Sequence, residues 1–215
     1  MKKFVKIVQI GLNKFFLPLN IEIRRYDPKH SRSKPKEYIY SKVRNCASFG
    51  DYLSKIKDVQ GDIVECGVGW GRSLFTLSAL ADIFYTGRII YAFDSFEGFP
   101  EPTSEDIVDR TLDKNPLAPK RKFFKKGHYK TDLDIVKQYL VNSGIKGEFI
   151  DNRIRFIKGF FEDTTNQYEG KIAFLHIDCD LYQPHLTALE AFYEKVQKGG
   201  IIVFDDYGTK FVGAT

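Results

Sequence analysis

Residues 61–71 read Gly61-Asp62-Ile63-Val64-Glu65-Cys66-Gly67-Val68-Gly69-Trp70-Gly71, and Ser73 to Phe84 follow with helical spacing of apolar residues. A short apolar run that breaks into glycines and then into a helix is the pattern of a buried strand feeding a tight turn at a sheet edge. Further short apolar runs lie at Ile89–Phe93, Ile154–Ile157, Ile172–Ile177 and Ile201–Phe204. Runs this short and this continuous suit strands covered on both faces of a parallel sheet. Helical patterns separate them: Thr131–Ser143, where Thr131-x-x-Asp134 reads as a capping box, and Pro184–Lys198, which Gly199-Gly200 should close. The alternation predicts an α/β, Rossmann-like, doubly wound and mostly parallel sheet.

Composition bounds the rest. The 215 residues are 43% hydrophobic and 28% charged, enough for one domain with a substantial core. A net charge of +5, with 28 acidic residues against 33 basic ones, carries no nucleic-acid footprint, so no nucleic-acid partner is expected. The 3 cysteines are far apart without Cys-x-x-Cys spacing, which argues against structural zinc or a disulfide framework. Residues 1–20 form a basic, amphipathic pattern read as a packing or oligomer helix, with weak membrane-surface binding or a signal peptide as alternatives. Lys6, Gln9, Asn13 and Lys14 interrupt it well short of the about 18 apolar residues of a membrane span, so a cytoplasmic protein without a transmembrane segment is expected. Residues 24–37, charged and proline-containing, read as a linker. The domain division is therefore 1–42 for helix and linker and 43–215 for the α/β domain.

The glycine turn falls where such sheets bind ligands. A dinucleotide fingerprint requires glycine at position 72, which is Arg72. The spacing Glu65-x-Gly67-x-Gly69-x-Gly71 instead resembles the first motif of class I S-adenosylmethionine (SAM) dependent methyltransferases. A plain glycine-rich turn is the alternative. Asp94 ends the second strand at roughly the 20-residue spacing at which a carboxylate chelates ribose hydroxyls, with Ser95 beside it; a helix cap is the alternative. Phe161 and Glu162 follow the third strand, where an adenine pocket would lie. Trp70, inside the turn, either covers a cofactor or packs.

Asp178 and Asp180 end the fourth strand, and Asp205-Asp206 end the fifth. Carboxylates packed that closely repel unless a hard cation lies between them, and Mg²⁺ on Asp178, Asp205 and Asp206 is the simplest compensation. Solvated loop carboxylates that cap helices are the alternative. His176, in the apolar strand before them, reads as packed or as a support for Asp178. The basic cluster Lys120, Arg121, Lys122, Lys125 and Lys126 around Phe123 and Phe124 reads as a solvated face or a substrate loop.

Together, Gly61–Val68, Asp94-Ser95-Phe96-Glu97-Gly98-Phe99-Pro100, Gly159–Thr164, Ile177-Asp178-Cys179-Asp180-Leu181-Tyr182 and Asp205-Asp206-Tyr207-Gly208 resemble the macrocin O-methyltransferase family of SAM-dependent sugar methyltransferases. The resemblance runs from about Val43 to Gly208. It implies that Glu65, Gly67, Gly69, Gly71, Asp94, Ser95, Phe161 and Glu162 bind SAM, that Asp178, Asp205 and Asp206 hold Mg²⁺, and that Asp180 is the general base. The acceptor would be a hydroxyl of a sugar or glycosylated small molecule. Catechol-type relatives place a lysine where this chain has Leu181, which disfavours a phenol. The Asn/Asp-Pro-Pro-aromatic stretch of base and amide methyltransferases is replaced by Asp178-Cys179-Asp180-Leu181.

Only residues 207–215 follow Asp206, too few for the two last strands of that fold, so an open edge at the fifth strand and association through that edge or the N-terminal helix are expected. Two rivals stay open: a SAM-binding but inactive fragment, and an NAD-dependent nucleotide-sugar enzyme, the latter disfavoured by Arg72 and by the lack of a Tyr-x-x-x-Lys pair.

Overall fold

The computed structural model describes residues 35–84, 86–106 and 124–205, with side chains from residue 45 onward. The N-terminal helix expected over 1–20, most of the expected linker, the basic cluster up to Phe123 and Asp206 lie outside the described residues. Helix α1 spans Pro35–Lys55, so the last residues read as linker form its first turn, where proline is tolerated because its missing N–H has no partner to lose.

Beyond α1 the order is β1 (Asp62–Cys66), α2 (Arg72–Ile83), β2 (Ile90–Asp94), α3 (Leu133–Asn142), α4 (Gly147–Arg153), β3 (Ile154–Lys158), α5 (Phe161–Thr164), β4 (Ile172–Ile177), α6 (Tyr182–Phe192) and β5 (Val196–Phe204). All strand pairs are parallel and the sheet order is β3-β2-β1-β4-β5. The order reverses between β1 and β4, which opens a crevice at their C-terminal ends.

Strand side chains alternate between two apolar layers. Ile63 and Phe174 face α1, α2 and α3, meeting Phe49, Leu53, Leu74, Leu77, Val136 and Leu140. Val64, Cys66, Leu175 and Ile177 face the other side together with Phe93 of β2, and Tyr168, Ala188 and Phe192 pack against them. Burial on both faces explains why β4 is apolar at nearly every position and why the strands read as continuous runs.

Two readings of the sequence are corrected. Gly199-Gly200 do not terminate a helix: α6 ends at Phe192, a 3₁₀ turn covers Tyr193–Lys195, and the glycines lie within β5. They sit where the β4–β5 register slips, between the pairs Ile172–Val196 and Phe174–Ile201. A Cβ on Gly200 would stand 3.0 Å from Ala173 O, so the pair serves a close strand approach rather than a helix stop. The capping box at Thr131 is also absent. Asp132 caps α3, its side chain accepting from the Asp134 N–H at 2.8 Å, while the buried Thr131 hydroxyl has no partner among the described residues.

Among the described residues β5 pairs only with β4, and no helix is long and apolar enough to cross a membrane.

Candidate functional site

The crevice at the switch point is a pocket walled by three strand ends and the short α5. β1 contributes Gly67 to Trp70, β2 contributes Asp94 and Ser95, β4 contributes Asp178 to Asp180, and Phe161 and Glu162 come from α5.

The glycine turn is built by contacts that forbid side chains. A Cβ on Gly67 would lie 1.9 Å from Asp178 O, because the ends of β1 and β4 are tied there by the Asp178 N–H donating to Cys66 O at 2.8 Å. Gly71, at φ 78, precedes α2, and a Cβ there would meet Val136 Cγ1 of α3 at 2.9 Å. Gly71 is thus a packing position, whereas at Gly69 no described residue beyond its chain neighbours comes within 4 Å of the Cβ position, and it lines the pocket.

Asp94 organises this turn. Its Oδ2 accepts from the N–H of Val68 at 2.8 Å and of Gly69 at 2.9 Å, and its Oδ1 accepts from Phe96 N–H at 2.6 Å. Ser95 shapes the following turn, donating to Gly98 O at 2.9 Å and accepting from Glu97 N–H at 3.0 Å.

Glu65 lies behind the pocket wall. It is fully buried on the α1 face of β1, with Oε1 3.2 Å from His176 Nδ1 on the neighbouring strand. Burial alone would lower the pKa of His176, but the hydrogen bond to Glu65 and the charges of Glu65, Asp178 and Asp205 outweigh it and hold the imidazole above its usual value. Among the described residues Glu65 Oε2 and His176 Nε2 have no hydrogen-bond partner.

Asp178 and Asp205 directly follow Ile177 and Phe204, which are paired across β4 and β5, and the Asp205 N–H donates to Ile177 O at 3.0 Å. Two residues with carboxylate side chains therefore directly follow adjacent strand ends. Among the described residues no group of three or more His, Cys, Asp or Glu side chains stands ready to hold a metal; Asp206 is not among them. Asp180 lines the pocket with φ at 59°, and Tyr129 lines it at φ 59°. Phe96, the remaining described non-glycine residue with positive φ, sits in the turn that Asp94 holds. Left-handed backbone at bulky residues persists only where surroundings enforce it, and here all of it gathers around one crevice.

Tyr129 and Pro184 also line the pocket and were not singled out from sequence, while Phe99 and Phe160, which line it too, lie in the quoted motifs without having been read as site residues. Tyr129 stands edge-on to Phe99, ring centroids 5.1 Å apart, on a segment bound to the β2 turn by Phe99 N–H to His128 O and Gly127 N–H to Phe99 O, both 2.9 Å. No motif marks that segment. Trp70 lines the pocket and is 49% exposed, so it is not a core residue.

The model of the macrocin-O-methyltransferase (TylF) family matches residues 44–214. Similar proteins include an 8-demethyl-8-(2,3-dimethoxy-alpha-L-rhamnosyl)-tetracenomycin-C 4'-O-methyltransferase of Streptomyces olivaceus, 33% identical over 153 residues, covering 69% of this chain and 54% of that protein. A mycinamicin III 3''-O-methyltransferase of Micromonospora griseorubida is 29% identical over 162 residues, covering 72% and 58%. The chain thus spans little more than half the length of these relatives. In fold it is similar to the calicheamicin methyltransferase CalS11, with TM-score 0.66 and 24% identity over 86% of this chain and 76% of that one. It is likewise similar to the O-methyltransferase NovP, with TM-score 0.61 and 24% identity over 77% and 65%.

Proposed function

The chain belongs to the macrocin O-methyltransferase family, and from that membership together with the pocket we propose that it is a SAM-dependent, Mg²⁺-assisted O-methyltransferase acting on a hydroxyl of a sugar or glycosylated small molecule. The observation that carries the reading is the single pocket shared by the glycine turn, Asp94 and the Asp178–Asp180 pair. The 43–215 segment is the catalytic domain in this reading, working in the cytoplasm.

The open face of Gly69 leaves room for the cofactor, and Asp94, which keeps lone pairs beyond its three amide contacts, would accept from the ribose hydroxyls. Ser95 keeps the β2 turn closed around them, while Phe161 and Glu162 border the adenine. Glu65 acts from behind, buttressing the β1 end through His176.

Asp178, Asp205 and Asp206 would hold Mg²⁺. When bound, SAM supplies an electrophilic methyl group and Mg²⁺ lowers the pKa of the acceptor alcohol. Asp180 takes the hydroxyl proton as the oxygen attacks, a role worth roughly 10²- to 10⁴-fold in rate. The fixed turn around it would keep Asp180 in one position for that proton.

The test is a calorimetric titration of the chain with S-adenosylhomocysteine (SAH), with and without Mg²⁺, alongside Asp94→Ala. Binding that Asp94→Ala abolishes supports the reading and leads to Mg²⁺-dependent methyl transfer to sugar acceptors. No binding by folded protein overturns it, and binding without any transfer reduces the chain to a cofactor-binding fragment.

A further inference from the structure

The chain leaving β2 lines the pocket through Ser95, Gly98, Phe99 and Pro100 and ends in a 3₁₀ turn, Ser104–Asp106. There Asp106 Oδ1 accepts from the N–H of Tyr182 at 2.8 Å. Tyr182 is the first residue of α6, so its amide is one of those a helix cannot pair internally. Leu181, at the capping position, makes no side-chain cap bond. Asp106 thus caps α6 from 76 residues away in the chain. Its other oxygen accepts from Thr103 N–H at 2.9 Å and from Thr103 Oγ1 at 3.1 Å, folding the turn that presents it.

β1 lies between β2 and β4 in the sheet, so this link from the β2 loop to the turn after β4 spans the end of β1, where the glycine turn sits. One carboxylate joins two walls of the same pocket. It also fixes the residues next to Asp180, whose left-handed backbone needs external support.

We propose that Asp106 is a positioning residue: it holds the segment 95–106 as a strap across the cofactor pocket and fixes the turn that carries Asp180. The inference rests on the methyltransferase reading above. Asp106→Ala removes the acceptor. Tyr182→Pro removes the donor from the other side, at a helix position that tolerates proline and after a Leu181 already extended at φ −106°, ψ 151°.

The experiment measures SAH affinity by calorimetry for the full chain, Asp106→Ala, Asp106→Asn, Tyr182→Pro and Tyr182→Ala, with hydrogen exchange across residues 178–186. Asp106→Ala is expected to speed exchange there and to weaken SAH binding roughly tenfold, the scale of one lost helix cap. Asp106→Asn, which keeps an acceptor oxygen, should recover most of the affinity, and Tyr182→Pro should fall below Tyr182→Ala by a similar factor. Faster exchange with unchanged affinity makes Asp106 an ordinary cap and overturns the inference alone. A wild-type chain that binds no SAH overturns the methyltransferase reading and the inference with it.

Discussion

Asp94 and Gly69 are bound across the ends of two adjacent strands, the carboxylate accepting the glycine amide at 2.9 Å, so the residue read as a ribose ligand also holds the turn in place. Removing it leaves the Val68, Gly69 and Phe96 amides without that partner. Asp94→Ala should therefore lower stability by about 1–3 kcal/mol as well as SAH affinity. Asp94→Asn retains an acceptor oxygen and should recover part of the stability while binding SAH more weakly than wild type. Urea unfolding beside calorimetry separates the two effects; equal stability of Asp94→Ala and wild type contradicts the bracing role.

The buried Glu65–His176 pair predicts a stability penalty measurable without any cofactor. Either Glu65→Ala or His176→Ala strands the other polar side chain in a site that is 1% exposed or less, at about 3–5 kcal/mol. Replacing both by leucine should cost less than either single change, because no polar group is left unpaired. A double-mutant cycle of Glu65→Leu, His176→Leu and the two together, read by urea denaturation, checks this, and additive penalties would refute the coupling.

The sheet was legible because burial on both faces leaves β1, β2 and β4 a continuous apolar signature, and the glycine turn because backbone contact with Asp178 admits no side chain at Gly67. The β5 start was not: Gly199-Gly200 carry the same letters as a helix stop, and only the register slip against β4 reveals their purpose. Asp94 was singled out by its place after a strand, and its hold on the turn amides adds what spacing does not show. Asp106 and Tyr129 escaped because their roles come from contacts remote in sequence, Asp106 with Tyr182 and Tyr129 through its neighbours Gly127 and His128 at the β2 turn. Glu65 was read as a cofactor contact from its motif position; its contact with His176 comes from the neighbouring strand, 111 residues on, and no motif spacing announces it.

Cys66 and Cys179 have their thiols pushed well up by burial, with nearby carboxylates adding to the shift. Neither carries thiolate near pH 8, although Cys179 borders the pocket. Iodoacetamide at that pH should label Cys46, which is partly exposed, before the other two, and label all three only after unfolding. Peptide mass spectrometry reads the order directly. Rapid native labelling of Cys179 would mean that the β4 turn opens far more than the geometry allows.

Asp62, at the N-terminal end of β1, gives a pH signature independent of the site. Burial raises its carboxyl pKa above the usual 3.8, only partly countered by the Tyr168 hydroxyl that donates to it at 3.1 Å, the Ile89 backbone and the Arg88 charge. The native state therefore keeps this proton to higher pH than the unfolded chain. The associated stability is fully present below the unfolded pKa and is lost as pH rises through the folded one, so the charged form opposes folding at neutral pH. Asp62→Asn, which still accepts from Tyr168, should be more stable than wild type at pH 7 by under about 1 kcal/mol, a half-buried group being strongly screened. The advantage should vanish near pH 3. Thermal unfolding of both proteins from pH 3 to pH 7 tests the sign: a variant less stable at pH 7 would show that the Arg88 attraction outweighs the burial cost.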